Sequence, residues 1–145
     1  MTHRPEDVRT VALVGAGGAG KTTLTETALF LAKAISRKGT VEEGNTATDF
    51  DPDERERKQS LTWADTFIQW IDCPGAADFV GEPTSAMAAV ETVAVAVPAK
   101  DGVSVTARRR FQEAGKLGLV RCVVLTKIDA ENIDADALMA SLAAN

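Results

Sequence analysis

The run VALVGAGGAGKTT, Val11 to Thr23, constrains this chain more than any other stretch. A β-type apolar run ends in closely spaced glycines, and a helix-type run follows. Two phosphate-binding patterns overlap here. Gly15, Gly17 and Gly20 spell the dinucleotide pattern G-x-G-x-x-G. Gly15, Gly20, Lys21 and Thr22 spell the nucleoside-triphosphate pattern G-x-x-x-x-G-K-T. A dinucleotide site also needs an acidic residue about 20 positions on, at the end of the next strand. Glu42 and Glu43 fall nearby, but with no strand ahead of them. The triphosphate pattern uses more of the residues. Backbone N–H groups along Gly15, Ala16, Gly17, Gly18, Ala19, Gly20 and Lys21 can wrap a phosphate at a helix N-terminus, where the helix dipole favours anions. Lys21 can reach the β- and γ-phosphates, and Thr22 can place its hydroxyl on Mg²⁺, with Thr23 next in the loop. The Lys-Thr pair has no use in a dinucleotide site.

The remainder alternates strand and helix. Val8–Val14 reads as a strand, and Thr23–Ser36 as a helix with Leu24, Leu29, Leu31 and Ile35 on its apolar side. Gly39 follows Arg37 and Lys38, a helix-ending pattern. A polar loop spans about 39–60, and Leu61–Ile71 reads as a hairpin turning near Asp65. Gly81–Glu91, Val103–Leu117 and Ile133–Ala144 read as helices, and Thr92–Val97 and Arg121–Leu125 as buried strands. Nearly continuous apolar strands between helices predict a mainly parallel sheet covered on both faces. The expected class is α/β, a three-layer P-loop nucleotide-binding fold with one antiparallel hairpin strand, in a single domain over residues 1–145.

Two further strand ends carry chemistry. In WIDCPG, Asp72 ends a strand and can hold the shell of a Mg²⁺ ion, while the N–H of Gly75 can face a γ-phosphate. In VLTKIDA, Thr126, Lys127 and Asp129 follow another strand. Ligands in such sheets bind outside the carboxyl ends of the strands. A carboxylate there can accept two N–H bonds from the guanine edge, a pair adenine lacks. Lys127 can pack its stem over the loop.

Charge and cysteine content narrow the class. The net charge of −5 disfavours a chain that coats nucleic acid, and the triplet Arg108–Arg110 reads as a solvated helix face. Cys73 and Cys122 lie in apolar runs and read as two buried thiols rather than a disulfide framework. The only histidine is His3, so no metal cluster of that kind is expected. The start, MTHRPEDVRT, lacks the apolar core of a signal peptide, and no run matches a membrane span. The expected location is cytoplasmic, without a membrane partner or a direct nucleic-acid site.

Glycine-loop GKT, D-x-P-G and T-K-x-D in this order resemble translation-factor-type GTPases. DFDPDERERKQSLT, IDCPGAADFVGE and AKDGVSV are similar to elongation factor G and elongation factor G-like proteins, and the likeness runs from about Val8 to Asn132. The resemblance implies GTP or GDP with Mg²⁺ as ligands and GTP hydrolysis as the reaction. Lys21, Thr22 and Gly75 would serve catalysis. Thr22, Ser60 and Asp72 would hold the metal, with Ser60 as the switch-loop hydroxyl and Ala76–Glu82 as the second switch. The ribosome would be a partner only of a longer parent protein. Three departures stand out: Thr126 where the family has Asn, Ala16 where many members have His, and Ala76 where the family has its water-orienting His. Hydrolysis is therefore expected to be slow. Sixteen residues follow Asp129, too few for the family's last strand, base-contacting loop and helix, so an incomplete G domain is expected. Two other readings compete. One is a partitioning-type ATPase, which shares the loop from Gly17 to Thr23 but lacks T-K-x-D. The other is a non-hydrolysing binding module.

Overall fold

A computed structural model describes residues 4–41, 43–46, 59–63, 66–73, 75 and 81–143. After a 3-10 turn at Pro5–Asp7 the order is β1 (Val8–Gly15), α1 (Lys21–Leu31), β2 (Gln59–Trp63), β3 (Thr66–Asp72), α2 (Gly81–Ala88), β4 (Thr92–Pro98), α3 (Val105–Lys116), β5 (Val120–Thr126) and α4 (Ala135–Ala143). The described strands form one sheet in the order β2-β3-β1-β4-β5. β3, β1, β4 and β5 are mutually parallel, and β2 pairs antiparallel with β3. This is the α/β architecture with one antiparallel hairpin strand that the sequence pattern predicts.

Alternation along β4 shows why the sheet is covered twice. Val93, Val95 and Val97 pack on one face with Met87 of α2 and with Ala107 and Ala114 of α3. Ala94 and Ala96 point to the other face, with Leu13, Ala19 and Leu24. Successive side chains in a strand take opposite faces, so one residue run serves both layers. Burying each of these Val, Leu or Met side chains is worth roughly 1.5–3 kcal/mol. Gly15, the last residue of β1, pairs with Ala96, and a Cβ on it would lie 2.8 Å from the Ala96 carbonyl oxygen. α1 and α3 follow the neighbouring strands β1 and β4 but lie on opposite faces. Their divergence opens a crevice at the carboxyl ends of those strands, the usual ligand position in such a sheet.

Several expectations need correction. α1 begins at Lys21 and ends at Leu31, not Ser36. Lys33 takes φ 56 and donates to the Phe30 carbonyl, while Ala34 donates to the Leu29 carbonyl. That is a Schellman-type stop with a lysine where glycine is usual, so Gly39 plays no part in it. Leu31 is 63% exposed and Phe30 also faces outward, while Lys21, Thr25, Glu26 and Leu29 form the buried side. β5 is not a buried strand: its first four residues are exposed, including Cys122, because no other described strand pairs its outer edge. Cys73 is buried as expected. Arg110 departs from the solvated face and is only 6% exposed. Gln59 and Ser60 belong to β2, so the polar stretch ends sooner than expected, and residues 47–58 lie outside the described part.

Candidate functional site

The glycine loop runs from the end of β1 to the start of α1. Gly20 caps α1 in the left-handed region at φ 82, ψ 19, where a side chain would be strained. Leu24 N–H donates to the Gly20 carbonyl at 2.9 Å, and Ala19 N–H to the Ala16 carbonyl at 3.2 Å. The opening N–H groups of a helix have no partners within it. Those of α1 and its αL entry therefore present donors at the loop.

Lys21 is the first residue of α1, and its ammonium turns back over the loop. Nζ donates to the Ala16 carbonyl at 2.9 Å and to the Gly15 carbonyl at 3.3 Å. Burial lowers its pKa below the ordinary lysine value, against the opposing pull of the Asp72 carboxylate. One helical position on, Thr22 Oγ1 donates to Asp72 Oδ2 at 3.1 Å. Asp72 reaches this place because β3 runs parallel to β1, with Asp72 beside Leu13. The Cys73 N–H continues the pairing to the Leu13 carbonyl at 3.1 Å. Gly75 then presses on the loop. A Cβ there would lie 2.6 Å from the Ala16 carbonyl carbon and oxygen and would also collide with Lys21 Nζ, so only glycine fits.

Thr126 closes the site from the other side. Its Oγ1 donates to the Ala19 carbonyl at 2.7 Å, tying the end of β5 to the glycine loop. Beyond it Lys127 adopts φ 53, and the turn leaves Lys127, Ile128 and Asp129 exposed at the same end of the sheet. The Asp134 side chain accepts from the Ala137 N–H at 2.9 Å and starts α4 just after this turn.

The described structure thus gathers Gly15, Ala16, Gly17, Gly18, Ala19, Gly20, Lys21, Thr22, Asp72, Gly75 and Thr126 around one crevice, and Lys127 and Asp129 follow Thr126 as exposed residues beyond the end of β5. It does not bring Ser60 there. Ser60 pairs with Gln69 on β2, three residues back from Asp72 along the sheet, about 10 Å at the strand rise. Ala76 and Asp78 lie outside the described residues, and Glu82 is in the first turn of α2. Of the two acidic candidates for a dinucleotide site, Glu42 lies outside the described residues, and Glu43 lies in an exposed turn where it accepts from Asn45 at 2.7 Å, while the next described strand, β2, pairs antiparallel with β3.

Glu26 and Glu113 escaped the sequence reading, as did the partners of Arg110 and Thr126. Glu26 is fully buried, and its Oε2 accepts the Gly39 N–H at 2.9 Å. It completes the buried side of α1 with Lys21, Thr25 and Leu29, but one position from Thr25 and five from Lys21 it carries no same-face spacing that flags it. Arg110 and Glu113 pair at 2.8 Å, and their i, i+3 separation was visible in the sequence. The Thr126 tether had no local signal, because it joins residues 107 positions apart.

A family model described as the elongation factor Tu GTP binding domain matches residues 6–143. The chain is 39% identical over 132 residues to an elongation factor G-like protein of Mycobacterium tuberculosis (strain CDC 1551 / Oshkosh), covering 86% of this chain and 18% of the relative. It is 33% identical over 142 residues to elongation factor G 2 of Streptomyces coelicolor, covering 93% of this chain and 21% of that one. A crystal structure of a Thermus thermophilus protein aligns with a TM-score of 0.84 at 42% identity, covering 94% of this chain and 22% of that one. The chain therefore spans about a fifth of the length of these relatives.

Proposed function

The chain belongs to the family of elongation factor Tu GTP-binding domains, and on that premise we propose that it binds guanine nucleotide with Mg²⁺ and hydrolyses GTP slowly. The observation that carries this reading is the meeting of Lys21, Thr22 and Asp72 within one crevice. An ammonium, a helix N-terminus, a hydroxyl and a carboxylate are set side by side there. Gly15 to Thr23 would cradle the phosphates, and Lys21 would leave the Gly15 and Ala16 carbonyls to engage them.

The donor set fits a hard cation. Thr22 Oγ1 and Asp72 Oδ2 lie 3.1 Å apart, and Mg²⁺ is commonly held by one or two protein oxygens plus phosphate oxygens and waters. Among the described residues no cluster of three His, Cys, Asp or Glu side chains stands ready to hold a metal alone, so the nucleotide itself would complete the shell. When bound, Mg²⁺ neutralises charge on the β- and γ-phosphates. Ser60 would join only if the start of β2 left its pairing with Gln69.

Asp129 would accept the guanine N–H pair, and Lys127 would lie over the base. Slow hydrolysis follows from Ala76, which cannot orient water. Losing such a group costs about 10²–10⁴ in rate, while charge stabilisation by Lys21 and the Gly75 N–H would remain. A longer protein carrying this domain would act with the ribosome in the cytoplasm. No described helix is long and apolar enough to cross a membrane.

Single-turnover GTP hydrolysis tests the proposal. The parent should turn over slowly, and Ala76→His should accelerate it roughly a hundredfold with GDP affinity unchanged. Fast parental turnover, or no gain in the variant, would place the water with another residue.

A further inference from the structure

The backbone of β5 faces two ways. Val120 N–H donates to the Glu91 carbonyl at 3.1 Å, and the Thr126 carbonyl accepts from the Ala99 N–H at 2.8 Å. Both residues therefore face β4. Backbone groups alternate sides along a strand, so Arg121, Val123 and Leu125 turn their N–H and carbonyl groups outward, where no other described strand meets them. Natural edges are commonly protected by lysine, proline or a bulge. VRCVVLT has neither lysine nor proline, and its register with β4 runs unbroken from Val120 to Thr126. Arg121, its only charge, is folded back onto α3. The guanidinium lies 4.4 Å from the centre of the Phe111 ring, and Nη1 donates to the Phe111 carbonyl at 3.3 Å.

This edge is complementary to itself. The net charge of −5 makes two copies repel, but β5 carries no acidic residue, so the repulsion is weak there. In an antiparallel pair, outward residues must face outward residues. Around the exposed half of β5 that leaves two-fold registers centred on Arg121, Cys122 or Val123. The first sets Arg121 against its own copy, like charges directly opposite. The third shifts the pairing onto Leu125 and Thr126, at the half-buried end of the strand. The second sets Arg121 against Val123, and Val120 against Val124, on both sides of the axis. It also sets Cys122 against its own copy at a non-hydrogen-bonded position, where Cα atoms lie about 4.5 Å apart. We propose that two copies of the chain join edge to edge through β5, antiparallel, in the register centred on Cys122. The two sheets then form one, and the two crevices open at its opposite ends, so the pairing leaves both free. It stands apart from the nucleotide reading.

Oxidative cross-linking with copper–phenanthroline tests the register, read on a non-reducing gel and by mass spectrometry of the linked peptides. A disulfide spans Cα atoms about 4.4–6.8 Å apart, so Cys122 should link to Cys122. Cys73 is buried and stays out. In a Cys122→Ser background, Val123→Cys should not link to itself, because diagonal neighbours lie about 7–8 Å apart. A mixture of Val123→Cys and Arg121→Cys in that background should link one to the other. Val123→Pro removes an outward N–H and leaves the bonds to β4 in place. It should weaken dimerisation in sedimentation velocity about tenfold or more, the scale of two net hydrogen bonds lost by symmetry, with the circular dichroism of the parent retained. Should Val123→Pro fail to fold, the cross-linking pattern still decides. A monomeric parent, a dimer without the Cys122 link, or Val123→Cys linked to itself would overturn the proposal. So would a folded Val123→Pro that dimerises like the parent, or a foreign peptide found bound at β5.

Discussion

Lys21 and Thr126 are the two side chains whose removal separates the site's electrostatics from its architecture. Lys21 donates to two loop carbonyls and is the ammonium we propose to meet phosphate. Lys21→Ala should lower GDP affinity about a hundredfold, the loss of charge-assisted bonds, with the circular dichroism of the parent retained. Parental affinity would remove Lys21 from the site. Thr126 is different in kind. Its hydroxyl holds the Ala19 carbonyl, and Ala19 is 1% exposed. Thr126→Val keeps the shape and strands that carbonyl, so chemical denaturation should show a loss of about 1–3 kcal/mol, with weaker GDP binding alongside. No stability change would mean that the loop stands without its tether. The sequence marked Thr126 as a departure from its family, but a bond across the whole chain cannot be read from neighbours. Lys21 was legible because its partners lie within the same short loop.

At the scale of elements, the strands were legible and the helix faces were not. β4 alternates large and small apolar residues, a period-2 signal with one solution. α1 buries Leu29 and packs Leu24 on the core as the periodicity predicts, but it also buries Thr25 and Glu26 and leaves Leu31 exposed, so hydrophobic periodicity finds only part of that face. An apolar contact through Leu24 and the polar contact of Glu26 with the Gly39 N–H share that face. The hydrogen-bonded contact of Thr84 on α2 with Arg110 and Glu113 on α3 has its own pH signature. Burial pushes the Glu113 carboxyl up, but the Thr84 hydroxyl and the Arg110 guanidinium outweigh it, and the net pKa is lowered from 4.5. A carboxylate with a depressed folded pKa contributes stability above its unfolded value and loses it as the pH falls through the folded one. The stability gap between the parent and Glu113→Gln should therefore be constant near neutrality and close below about pH 4.5. A gap that persists in acid would assign the effect to packing.

For the whole molecule, the exposed side of β5 governs behaviour in solution. Val120 is 64% exposed and Val123 37%, on a strand whose outer edge meets no other described strand. An apolar edge of this kind is a template for pairing with another chain. The 145-residue chain should self-associate as its concentration rises, and Val120→Lys should suppress this in sedimentation velocity. A parent that stays monomeric throughout would contradict it. The sequence made β5 look interior because Arg121–Leu125 is apolar; burial depends on what lies alongside, which composition does not encode.

The central claim is that one crevice reads both phosphate and guanine, the first through Lys21 and the loop, the second through Asp129. Calorimetric titration of GDP, ADP and XDP against the parent and Asp129→Asn tests it most directly. The parent should prefer GDP over ADP by at least about a hundredfold, because adenine leaves the carboxylate unpaired, and the variant should turn its preference from GDP to XDP. Equal binding of ADP by the parent, or an undiminished GDP preference in Asp129→Asn, would contradict the account.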